Sequence, residues 1–85
     1  MPHVKLFANL RKVAGIKEAS ITATNVEMAV SELVKQYPAL ADSLLESGKI
    51  RPHLIITLNG HPINDFNASV MEHDEISIFP PLAGG

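Results

Sequence analysis

Val4, Leu6 and Ala8 alternate with Lys5, Phe7 and Asn9. This period of two predicts a first strand over residues 3–9. Gly15 falls in the turn that follows. Ala19 to Ala23, centred on Ile21, reads as a short second strand and hairpin partner of the first. The period then changes. Thr24-Asn25-Val26-Glu27 has the form of a capping box, in which the Thr hydroxyl accepts from an N–H three residues on and the Glu reaches back. Val26, Val30, Leu33, Val34 and Tyr37 fall on one helical face, with Glu27, Ser31, Glu32 and Lys35 largely opposite. Pro38 disfavours helical geometry at Tyr37 and stops the helix there. It can open a second, shorter helix with Leu40, Leu44 and Leu45 as its apolar face and Gly48 as its C-terminal cap.

Leu54 to Leu58 is a continuous β-rich run, which predicts an internal strand with little solvent on either side. Asn59-Gly60 is a strong hairpin-turn signal, returning into a short strand at His61–Ile63. Residues 64–75 read as a loop anchored by Val70. Ile76 to Phe79 is the last strand, ended by Pro80. Hairpins at both ends with helices between them predict an α+β fold, a mixed sheet with the main helix on one face.

Composition narrows the function. A chain of 85 residues is one small domain with a modest core. It has no cysteine, which excludes a disulfide scaffold, thiol catalysis and a thiolate metal site on this chain. The net charge of −2 argues against nucleic-acid binding, which usually needs a basic face. No basic leader precedes an apolar stretch, and no apolar run approaches the roughly 20 residues that span a bilayer, so a cytoplasmic protein without a membrane partner is expected. His3, His53, His61 and His73 show no metal-ligand spacing, and no metal is expected. Met28 and Met71 read as core fillers. Arg11 and Lys12 can touch a partner, but read first as part of a solvated loop.

The candidate chemistry lies at Gly84-Gly85. Neither residue has a Cβ, so this end can enter a channel too narrow for any side chain, and the carboxylate of Gly85 becomes the expected reactive group. Pro80 and Pro81 restrict the stem so that it leaves the sheet extended. The six residues from Pro80 reach roughly 20 Å. The expected organisation is a domain over residues 1–79 and a flexible tail, Pro80-Pro81-Leu82-Ala83-Gly84-Gly85. No Gly-rich loop followed by Lys and Ser/Thr is present, so ATP cannot be cradled by that route.

The run Asp74-Glu75-Ile76-Ser77-Ile78-Phe79-Pro80-Pro81-Leu82-Ala83-Gly84-Gly85 resembles the C-terminal signature of the molybdopterin synthase small subunit. The thiamine-pathway sulfur carrier and the archaeal ubiquitin-like modifiers are related families. Val4 to Arg11 and Leu58-Asn59-Gly60 are similar to the same family, so the likeness spans essentially the whole chain. It implies the β-grasp, or ubiquitin-like, fold, with the last strand central and parallel to the first. One departure is His73, where the family usually has glycine; a positive φ there would be mildly costly.

The resemblance also implies a function. A separate E1-like enzyme would use ATP to adenylate Gly85, with no cofactor bound by this chain. A sulfur donor would displace AMP and leave a thiocarboxylate. The tail would then enter the large subunit of the synthase, which holds the catalytic residues, and deliver sulfur to the dithiolene of the molybdenum or tungsten cofactor. Two carriers would be used per dithiolene. Phe7 and Phe79, on neighbouring strands and pointing away from Leu6, Ala8, Ile76 and Ile78, would form an exposed aromatic patch beside the tail. The resemblance points to both as partner contacts, with Pro62 as a third and Pro80 to Ala83 along the tail. The alternative is that a loop of the same chain covers either ring. Asp74 and Glu75 would pair with basic groups of a partner or form a solvated acidic turn. Three other functions fit: a modifier joined through Gly85 to lysines of protein substrates, a sulfur carrier for tRNA or thiamine, or a plain interaction module.

Overall fold

The computed structural model describes residues 1–81. In chain order it contains β1 (His3–Leu6), α1 (Asn9–Ala14), β2 (Glu18–Ser20), α2 (Val26–Gln36), a 3-10 turn (Pro38–Leu40), α3 (Ala41–Leu44), β3 (Leu45–Glu46), β4 (Lys49–Ile50), β5 (Ile55–Leu58), β6 (His61–Pro62) and β7 (Glu75–Phe79). The main sheet runs β2-β1-β7-β5-β6. Strand β7 lies at its centre, parallel to β1 in the register Leu6↔Ile78 and antiparallel to β5 in the register Ile55↔Phe79. This is the β-grasp arrangement, and it puts the exit of the C-terminal stem between the ends of two paired strands.

One face of the sheet is the core. Val4, Leu6, Ile56, Ile76 and Ile78 are buried there against Val26, Ala29, Val30 and Leu33 of α2. Burying a side chain of this size stabilises by roughly 1.5–3 kcal/mol. Leu40 and Leu44 close one end, and Val70 pins the long loop, with its N–H donating to the Thr24 carbonyl at 3.0 Å.

Several local expectations are corrected. The first strand stops at Leu6, because Ala8 takes a positive φ of 54° and turns the chain outward. Ala8 is exposed rather than core-facing. The next residues form α1, with Leu10, Val13 and Ala14 inward at helical spacing. Gly15 ends it in the left-handed region at φ 79°, its N–H bonded to the Arg11 carbonyl. The cap of α2 is Asn25, whose Oδ1 accepts from the Met28 N–H at 2.7 Å; Thr24 is not the cap, and the Glu27 N–H goes instead to the Phe66 carbonyl. Gly48 caps no helix. With Ser47 (φ 53°) it forms the two-residue turn between β3 and β4, where both central residues need positive φ. Met28 and Met71 are exposed, at 43% and 69%, and fill no core. His73 has no positive φ, so the histidine there carries no backbone strain. Strand β5 is internal by pairing, yet Ile55 on its outer side is 41% exposed, because no described element packs over that face.

Candidate functional site: the open face of the sheet

Alternation along β1, β7 and β5 sends His3, Lys5, Glu75, Ser77, Phe79, Ile55 and Thr57 to the face opposite the core. Phe7 follows β1 and reaches the same side. Its ring stacks on that of Phe79, with centroids 4.3 Å apart and planes 15° from parallel. Both rings are half-buried. The Arg11 guanidinium lies over the Phe7 ring at 5.0 Å from its centroid, and its Nε donates to the Leu6 carbonyl at 2.6 Å. Arg11 is therefore half-buried on α1 and not part of a solvated loop. On the other side of Phe79, its register partner Ile55 extends the apolar strip.

The second row is polar. Pro62 pairs with Thr57, Thr57 with Ser77, and Ser77 with Lys5. Pro62 thus shares the open face with the two phenylalanines, and as a residue of an edge strand its missing N–H disrupts no inner ladder. Pro80 continues directly from Phe79 and is half-buried, and Pro81 is exposed. Leu82, Ala83, Gly84 and Gly85 lie outside the described residues.

Asp74 and Glu75 stand at the solvent surface and also make contacts within the chain. Glu75 pairs with Lys5 at 3.1 Å. Asp74 accepts from the Asn59 side chain at 2.9 Å and from the Met71 N–H at 2.7 Å. Asn59 also accepts from the Glu75 N–H at 2.8 Å. Asn59 is more than a turn residue: from its left-handed position (φ 51°) it fastens the β5–β6 turn to the start of β7.

The Asn59 hydrogen bond, followed by that from the Met71 N–H, holds the Asp74 carboxyl below its usual value. A depressed folded-state value means the contribution is full above the ordinary aspartate range, near pH 4, and is lost as pH falls through the folded value. We expect Asp74→Asn to melt below the parent at pH 7, with the gap narrowing as pH falls below the ordinary aspartate range. Melting curves across that range check this; a gap independent of pH would contradict it.

Ile55 was not expected at this site, and for Arg11 a solvated loop was preferred to partner contact. The signal for Ile55 was the strand alternation that sets it opposite Ile56. For Arg11 it was the Leu10-Val13-Ala14 spacing, which makes this stretch a helix packed beside Phe7. Among the described residues, no group of three His, Asp or Glu side chains could hold a metal ion. No described helix is long and apolar enough to cross a membrane.

Comparison with known proteins agrees with this geometry. The family model described as the ThiS family matches residues 4–85. Small archaeal modifier protein 3 of Haloferax volcanii is 30% identical, the match covering 96% of each chain. The molybdopterin synthase sulfur carrier subunit of Arabidopsis thaliana is 28% identical over 96% of this chain and 80% of its own length. The solution structure of small archaeal modifier protein 1 from Methanosarcina acetivorans superposes with a TM-score of 0.91 at 32% identity, covering 99% of this chain and 95% of that one.

Proposed function

The chain belongs to the ThiS family of ubiquitin-like sulfur carriers and modifiers, and from that premise we propose that Gly85 is activated by a partner and carries sulfur for molybdopterin synthesis. The observation that carries this reading is the Phe7–Phe79 stack on an uncovered sheet face, directly where the Pro80-Pro81 stem begins. An aromatic strip there fits a protein that is held by its sheet while its tail is worked on.

The chemistry needs little from the domain itself. The Gly85 carboxylate attacks the α-phosphate of ATP on an adenylating enzyme, releasing pyrophosphate and forming an acyl adenylate. A sulfur nucleophile attacks the acyl carbon and AMP leaves, so a C–S bond replaces the C–O bond to phosphate. The thiocarboxylate then enters the large subunit of the synthase, where its sulfur attacks a carbon of the pterin precursor and displaces an oxygen, and water cleaves the acyl C–S bond to return the Gly85 carboxylate. This chain supplies the face that docks and the side-chain-free end that threads. Phe7, Pro62 and Phe79 are the docking residues in this scheme, Pro80 to Ala83 the guide, and Gly84-Gly85 the threading end. The cytoplasm, where ATP is available, is the matching compartment.

A second reading has its own support. The Haloferax and Methanosarcina relatives are named modifiers. Under that reading the same acyl adenylate ends in an amide to a lysine of a protein substrate. Mass spectrometry of the protein from its own cells decides. Sulfur in place of one terminal oxygen is the expected result. Lysines of other proteins bearing a Gly-Gly remnant, with no such sulfur species, would overturn the carrier reading in favour of the modifier.

A further inference from the structure

The chain's positive charge is unevenly placed. It has seven Lys and Arg residues against nine Asp and Glu. Among the described residues, Lys5, Lys35 and Arg51 each have a carboxylate within 4 Å, namely Glu75, Glu32 and Glu46. Arg11, Lys12 and Lys17 have none, and they stand together around a shallow hollow whose remaining lining is Gly15 and Ile16. The carboxylate next in sequence, Glu18, turns across the β1–β2 pair, its Oε1 3.0 Å from Nε2 of His3. An acidic protein thus gathers three cations at one corner, where none has a carboxylate partner among the described residues.

That corner adjoins the open face. Arg11 belongs to both: it lines the hollow and lies over the ring of Phe7. Lys17 is fixed beside the end of β1 through its carbonyl, which accepts from the Leu6 N–H at 2.8 Å. Lys12 and Lys17 are exposed. An apolar strip with a charged margin is the usual anatomy of a docking surface, the margin governing approach and register more than final affinity.

We propose that the Arg11-Lys12-Lys17 corner receives an acidic segment of the adenylating enzyme, alongside the seat for Phe7 and Phe79. The inference rests on the activation step proposed above. The corner assists docking rather than chemistry, because the tail can carry its carboxylate roughly 20 Å beyond Pro80. It is assigned to the activating enzyme because activation precedes every fate open to the tail, so a fixed surface serves it whichever acceptor follows. Paired carboxylates are the matching chemistry: they satisfy the free lysine ammonium groups, and steering of this kind fades as salt rises.

The test is ATP–pyrophosphate exchange with the purified adenylating enzyme of the same cell, run over a salt series with the parent chain, Lys12→Glu/Lys17→Glu, Lys12→Arg/Lys17→Arg and Lys49→Glu. Lys49 is also exposed and without a carboxylate partner among the described residues, but it lies on β4, away from this corner. The charge reversal is expected to raise KM about tenfold at low salt with kcat unchanged, and to flatten the salt dependence. The Arg pair should behave as the parent, Lys49→Glu should do the same, and melting temperatures should match. Parent-like KM and salt dependence in the charge reversal overturn the inference, as does a defect that appears only at the acceptor step. If the parent chain itself supports no exchange, the activation reading fails, and the docking inference fails with it.

Discussion

Removing Gly85, or adding one residue after it, is expected to abolish adenylation without lowering the melting temperature. The physical reason is a length constraint. One residue shifts the terminal carboxylate by about 3.5 Å, and a misplacement of about 1 Å at a reacting centre costs on the order of 100-fold in rate. Deletion and extension should therefore be equally inactive, although they change the chain in opposite senses. Stability should not follow, because the described core ends at Ile78 and contains no residue of the tail. Exchange assays paired with melting curves make the comparison. A shortened chain that is still activated, or still supports cofactor synthesis in cells, would remove the terminal carboxylate from the mechanism. Retained activity on deletion is what a plain interaction module would give.

The outline of the fold was legible because its largest elements carry long, consistent patterns. The inward residues of α2 repeat at helical spacing, and Pro38 marks its end. Val4 and Leu6, and Ile76 and Ile78, alternate cleanly and are buried. The losses came where a short element interrupts a pattern that seems to continue. Ala8 fits the alternation of β1, yet its positive φ turns the chain into α1 where the strand was expected to run on to residue 9, and nothing in an alanine announces that conformation. Gly48 was rightly singled out for its backbone freedom, but the same freedom serves a helix end and a two-residue turn equally well; only the pairing of Leu45 with Ile50 decides between them. Leu54 to Leu58 looked buried on both sides because the run is apolar or β-branched throughout, yet Ile55 on its outer side is exposed. The acidic pair shows the converse. Asp74 and Glu75 look free in sequence, and their partners Asn59 and Lys5 are remote along the chain but adjacent across the strands.

The same uncovered face sets the second large effect. Phe79→Ala and Phe7→Ala should each weaken binding to the activating enzyme far more than they weaken the fold. Each ring is half-buried, and its main aromatic contact is the other ring at 4.3 Å. Such a pair contributes about 0.5–1.5 kcal/mol beyond its buried area. Losing about 1 kcal/mol lowers the melting temperature of a domain this size by roughly 4–8 °C. A partner that covers the strip removes the ring surface still exposed from water, and a central aromatic anchor of that kind is worth about 2 kcal/mol or more. That corresponds to roughly a 30-fold rise in Kd. Phe66→Ala is the control: this ring is also half-buried, but it packs against the core from the long loop beside α2, so its loss should cost stability and leave binding unchanged. Titration of the partner and thermal melts on the three variants separate the two quantities. A collapse of the melt for Phe7→Ala or Phe79→Ala with partner binding unaffected would show that the stack closes the sheet for its own sake, and the docking role would have to be given up.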